Sequence, residues 1–118
     1  ARKVYSMPPA HGGILAGLVL TERELKENWI AELGGMCTRI NSLRDQLATR
    51  LTKACSRDFD FIRQENGMFS FLGLTSEQAK SLRSEYSVYM LDSSRINVAG
   101  VNANNIAYFV ESVADVIN

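Results

Sequence analysis

Arg95 is the residue whose type and setting speak most directly of chemistry. It lies in Asp92-Ser93-Ser94-Arg95-Ile96-Asn97-Val98-Ala99-Gly100. Ile96 and Val98 alternate with polar residues at the period of a half-buried strand. Asp92-Ser93-Ser94 is turn chemistry, and Ala99-Gly100 releases the strand into Asn102, a good helix N-cap. Arg95 is therefore expected at the mouth of a short strand, with its guanidinium facing a cleft. A planar five-donor fork in that place suits a carboxylate or a phosphate held bidentately. The other reading is an edge-strand arginine that is merely solvated, and spacing alone favours that commoner case.

The elements that must position Arg95 begin with bulk properties. The chain has 118 residues, 46% hydrophobic and 22% charged, enough for one globular domain. A domain of this size buries roughly two-thirds of its unfolded surface. Thirteen basic residues balance thirteen acidic ones, which removes the main electrostatic argument for a nucleic-acid or anionic-membrane partner. No apolar run approaches the ~20 residues that span a bilayer, and nothing near Ala1 resembles a signal or transit peptide. Cys37 and Cys55, if on one helix, lie eighteen residues and about 27 Å apart, beyond disulfide reach. Reduced thiols point to an intracellular compartment, cytoplasmic first with mitochondrial as the alternative. One histidine, His11, with cysteines that distant makes no metal site.

In chain order, Pro8-Pro9 predicts an extended segment over residues 1–13. A short helix from Ile14 to Leu20 is apolar all round and calls for burial on most sides, against something outside these 118 residues. Thr21-Glu22-Arg23-Glu24 reads as a capping box opening a new helix. Leu25, Trp29, Leu33, Met36, Ile40, Leu43, Leu47 and Leu51 then form one stripe down a helix of about thirty residues. Coiled-coil pairing is one reading. The mixed stripe and Gly34-Gly35 favour a helix bridging two domains. Arg39, Arg44, Asp45 and Lys53 read as its solvated face.

Phe59, Phe61 and Ile62 predict a short strand, Asn66-Gly67 a turn, and Gly67 to Leu72 the returning strand. Thr75-Ser76-Glu77-Gln78 is a second capping box, for a helix to about Glu85 with Ala79 and Leu82 inward. Ser87 to Leu91 is the next strand, expected to pair with Arg95 to Val98. Asn102 caps a last helix with Ile106, Phe109, Val110, Val113 and Ile117 on one face. The order describes an α+β fold, with helices over a small, mainly antiparallel sheet.

Three stretches carry a resemblance: Arg2-Lys3-Val4-Tyr5-Ser6-Met7-Pro8-Pro9-Ala10-His11-Gly12, Asn66-Gly67-Met68-Phe69-Ser70-Phe71, and Ser94-Arg95-Ile96-Asn97-Val98-Ala99-Gly100. In this order and at these separations they resemble the C-terminal part of the aspartate/aromatic amino acid aminotransferases, class I pyridoxal-phosphate enzymes of fold type I. The resemblance runs essentially from Arg2 to Asn118 and includes Trp29. It implies the small C-terminal domain of a transferase that is α/β overall. Residues 1–20 would end the large-domain or interface segment, residues 21–55 form the interdomain helix, and residues 56–118 the small domain.

By motif, the resemblance gives Arg95 the substrate's α-carboxylate, which displaces the solvated reading. Arg2 matches the arginine that reaches from the neighbouring subunit of a homodimer to the side-chain carboxylate of aspartate or glutamate. Ser6 would lie near that interface site, and Phe69 would line the substrate pocket. His11 fits the pattern and is expected to play a structural hydrogen-bonding role. Met7 departs from the asparagine often found before the two prolines, which leaves aspartate and aromatic substrates both open. The family's cofactor, pyridoxal 5'-phosphate, is held by a lysine, and none of Lys3, Lys26, Lys53 and Lys80 lies in a stretch that resembles the one around that cofactor lysine. The portion is therefore expected to be inactive alone and to supply carboxylate recognition and dimer contacts. A reading of another class is a stand-alone carboxylate-binding or dimerisation module.

Overall fold

A computed structural model describes residues 9–118. Arg2, Lys3, Ser6 and Met7, with the expectations attached to them, lie outside the described residues. The chain divides into two units, with the boundary between Cys37 and Thr38, and each is taken by itself.

The first unit holds α1, Ala10–Thr21, and the opening turns of α2, Arg23–Ala54. Helix α1 starts directly after Pro9, four residues earlier than Ile14. The restraint that proline imposes falls on the residue before it, so Ala10 is free to turn. The Thr21 capping box does not form. Thr21 ends α1 and its hydroxyl donates back to the Gly17 carbonyl at 2.8 Å, while the break falls at Glu22, whose backbone is extended. No residue of α1 is buried among the described residues, and Ile14 is 59% exposed. His11 is exposed as well.

The second unit runs from Thr38 to Asn118 and contains the core. After α2 come β1, Phe69–Phe71; α3, Ser76–Tyr86; β2, Arg95–Asn97; and α4, Ile106–Ile117. Leu47 and Leu51 from α2, Leu72, Leu82 from α3, Val98, and Val113 from α4 are fully buried together. Each such side chain contributes about 1.5–3 kcal/mol. Helix α3 packs on α4. The α3 capping box forms as read: Thr75 Oγ1 accepts from Gln78 N–H at 3.2 Å and Gln78 Oε1 from Thr75 N–H at 2.9 Å. Regular helix in α4 begins at Ile106, and Asn102 Oδ1 caps the turn leading into it by accepting from the Asn104 and Asn105 amides.

Two expected strands are something else. Residues Asp60–Arg63 form a 3-10 turn. Asp58 Oδ1 accepts from the Asp60 amide, and Phe59 and Ile62, three apart, both turn inward. Residues 87–91 alternate in burial, Met90 at 7% against Tyr89 at 83%, yet belong to no ladder among the described residues. Their polar groups go elsewhere: Val88 N–H donates to Leu82 O, and Met90 O accepts from Arg83 Nη1. Strand β2 pairs instead with β1, antiparallel, with Phe71 opposite Arg95, Ser70 opposite Ile96 and Phe69 opposite Asn97. Ser70 and Ile96 face the core, so Phe69, Phe71, Arg95 and Asn97 share the outer face.

Candidate functional site

The outer face of the β1–β2 pair borders a groove of about 650 Å³ whose lining includes Phe69, Tyr89, Leu91, Arg95, Asn97 and Tyr108. Among the described residues, Arg95 is the single charged one in that lining. Its guanidinium carbon stands 4.7 Å from the centre of the Phe69 ring. A cation over an aromatic face gains about 0.5–1 kcal/mol at an exposed site, and the stacking leaves the N–H edges of the fork open. The fold thus brings Arg95 and Phe69, two of the four residues expected at the site, into contact. The other two, Arg2 and Ser6, lie outside the described residues.

The remaining arginines of this unit show why Arg95 is unusual. Arg39 donates to the Ala99 and Val101 carbonyls at 3.1 and 3.2 Å. Arg57 donates to those of Leu72 and Gly73 at 2.8 and 3.0 Å, and Arg83 to that of Met90 at 2.8 Å. Arg63 pairs with Asp45 and Asp60. Among the described residues no hydrogen bond or ion pair engages the Arg95 guanidinium, which leaves its donors for a ligand. Arg50 is also unengaged but does not line the groove.

Arg44 corrects the solvated reading most sharply. It is 2% exposed, and its fork is filled by main-chain oxygens: Ile62 at 3.1 Å, Gly67 at 2.7 Å and Phe69 at 2.8 Å. Glu65 pairs with it at 3.3 Å and also accepts from the Ser70 hydroxyl. The charge is compensated where water is excluded, as burial demands. Arg44 thus fixes β1 from behind and, through the Phe69 carbonyl, the ring beneath Arg95. A signal for this existed. Arg44 is four residues after Ile40 and three before Leu47, so it shares their inward face.

The turn before Arg95 is held just as tightly. Ser94 is 1% exposed with φ +61°, its hydroxyl accepts from Gly73 N–H at 3.0 Å, and its carbonyl accepts from Leu72 N–H at 3.1 Å. Asn97 Oδ1 accepts from the Ala99 amide, closing the turn at the far end of β2. Both thiols are free. Burial pushes the Cys55 thiol up, with the Arg57 charge opposing, so it is a poor nucleophile. Among the described residues no group of three or more His, Cys, Asp or Glu could hold a metal, and no helix is long and apolar enough to cross a membrane.

A two-stranded antiparallel sheet packed among helices, with the Arg95 guanidinium over the Phe69 ring on its outer face, makes this an α+β domain. The chain belongs to the aminotransferase class I and II family, whose family model matches residues 1–113. It is 43% identical over 117 residues to the aspartate aminotransferase of Escherichia coli K12, covering 98% of this chain and 30% of that protein. It is 41% identical over 116 residues to the aromatic-amino-acid aminotransferase of Paracoccus denitrificans, covering 98% of this chain and 29% of that protein. Among solved structures, the aromatic-amino-acid aminotransferase of Burkholderia pseudomallei, covalently bound to pyridoxal phosphate, superposes with a TM-score of 0.93. Identity there is 42%, over 99% of this chain and 30% of that one. The chain thus spans about 30% of the length of these relatives.

Proposed function

We propose that this chain is the C-terminal, substrate-gripping portion of an aspartate aminotransferase, which moves an amino group between aspartate or glutamate and 2-oxo acids. The observation that carries the reading is Arg95, stacked on Phe69 at 4.7 Å with no protein partner for its fork. Each amino acid and each 2-oxo acid in such an exchange carries a carboxylate beside the reacting carbon. Two parallel N–H···O bonds hold that planar group in one orientation. They fix the reacting carbon and can supply several kcal/mol of the barrier.

Arg2 is assigned the second carboxylate of a dicarboxylic substrate, in the site of the neighbouring subunit of a homodimer, with Ser6 beside it. Phe69 lines the pocket under Arg95. Pyridoxal 5'-phosphate, in the complete protein, supplies the carbonyl carbon that takes up the amino group and the ring that accepts electrons. The described residues do not fit its anchor. Lys26, Lys53 and Lys80 are exposed on helices and none lines the groove. None of the four lysines, Lys3 included, stands in a sequence like that of the family's cofactor lysine. The covalent lysine is therefore assigned to sequence outside these 118 residues, and the portion alone is expected to be inactive. The complete protein is assigned to the cytoplasm, with the mitochondrion as the alternative.

An aromatic or broad-specificity enzyme is the second reading. It is supported by near-equal identity to aspartate and aromatic relatives, and Met7, in place of the asparagine often found there, leaves both substrates open. One pair of variants of the complete enzyme tests both. Arg95→Lys keeps the charge and loses the fork, so kcat/KM should fall at least ~100-fold for aspartate and tyrosine alike, at about 1.5–3 kcal/mol per charge-assisted bond. Arg2→Lys should lower kcat/KM selectively for aspartate and glutamate. Equal losses for aspartate and tyrosine in the Arg2 variant would sink its assignment, and an unaffected Arg95 variant would sink the whole reading.

A further inference from the structure

We infer that Ser94 is a positioning residue for carboxylate capture, setting the direction in which Arg95 leaves the sheet. The inference rests on the assignment of Arg95 to the substrate carboxylate. Ser94 carries a side chain in the left-handed backbone region, φ +61°, where glycine is the unstrained choice. It is also 1% exposed, so solvation does not explain a serine there.

Its bonds do. The Ser94 N–H donates to Leu91 O at 2.9 Å, which closes the turn behind it. Its carbonyl accepts from Leu72 N–H at 3.1 Å and its hydroxyl accepts from Gly73 N–H at 3.0 Å. One residue thereby engages two consecutive amides where the chain leaves β1. Those two residues are themselves fixed, because Arg57 donates to both of their carbonyls. Gly73 itself sits at φ +67°, a backbone region that any residue with a Cβ enters only under strain.

Ser94 is thus the clasp between a rigid corner and the first residue of β2. Rotation about its backbone would swing the whole Arg95 side chain off the Phe69 ring. Losses of about 100-fold can follow a 1 Å misplacement of a binding group. The hydroxyl is the one part of this clasp that depends on residue type, since the two backbone bonds are open to any residue.

The test uses the complete, pyridoxal-phosphate-loaded protein. Ser94→Gly keeps the left-handed backbone and removes the hydroxyl. Ser94→Ala removes the same hydroxyl and keeps a Cβ, which guards against a glycine variant that fails to fold. Calorimetric Kd values are measured for succinate and for 3-phenylpropionate, with KM, kcat and the thermal midpoint alongside. Both Kd values should rise together by about five- to tenfold, with KM following and kcat less affected, because the carboxylate that Arg95 holds is common to both probes. A merely structural serine would lower the thermal midpoint and leave both Kd values alone, and that result in a folded variant overturns the inference. Arg95→Lys serves as the reference. If it weakens both probes and the Ser94 variants do not, only the role of Ser94 falls; if it weakens neither, the carboxylate reading of Arg95 falls.

Discussion

Leu25, Trp29 and Leu33 repeat on α2 with the same spacing as Leu43, Leu47 and Leu51. The first three are 43 to 47% exposed and the last three 0 to 7%. One helix therefore carries one apolar stripe through two different surroundings. From Leu43 onward the stripe is covered by residues of this chain, among them Phe59, Leu72 and Val98. Before Met36 no described residue buries it. The difference teaches that periodicity specifies a face and is silent about the partner. The uncovered positions continue into the covered ones through Met36 and Ile40, so one face of the helix runs on past what the described residues bury.

That comparison can be broken at its buried end. Arg44→Met keeps an unbranched apolar stem and removes every donor, leaving the Ile62, Gly67 and Phe69 carbonyls and the Glu65 carboxylate without this partner. The expected loss is about 3–5 kcal/mol in urea unfolding of the complete protein. Leu47→Ala empties a fully buried site and should cost about 2–5 kcal/mol by the same measurement. A loss below ~1 kcal/mol there would mean that the core has been misread. Leu25→Ala sharpens the contrast from the other end. In the 118-residue chain it should shift stability by less than ~0.5 kcal/mol. In the complete polypeptide it should approach ~2 kcal/mol, because the side chain would there be covered. Equal small shifts in both would remove the argument for a partner along the first half of α2.

What the sequence made legible was local. Thr75 and Gln78 announce the start of α3 because both halves of a capping box are encoded within four residues. The inward face of α4 follows from period alone, and Phe109, Val110 and Val113 are buried as read. What stayed hidden depended on distant groups. Residues 87–91 alternate like a strand, but alternation records which side chains turn inward, and here Arg83 and the end of α3 take the backbone groups. Phe59 and Phe61 fall at period two, but an Asx bond at Asp58 turns the chain, so Phe59 and Ile62 are the pair that faces inward. At the candidate site, Arg95 and Phe69 were legible by motif. Arg44 shares the inward face of Ile40 and Leu47, but its charge points the other way until its carbonyl partners are known. Ser94 is an ordinary turn serine until its burial is known.

Arg39, Arg44, Arg57 and Arg83 all grip main-chain carbonyl oxygens. Those are atoms that every residue type possesses. The segments around the groove are therefore held by a device blind to side-chain identity. Exchanges at Phe69 or Phe71 on the outer face leave the Arg44 bonds to this stretch in place. The outer-face side chains of β1 can then change while the backbone that pairs with Arg95 stays where it is. Relatives acting on aspartate and on aromatic amino acids, at 43% and 41% identity to one sequence, are the kind of divergence that such a scaffold tolerates.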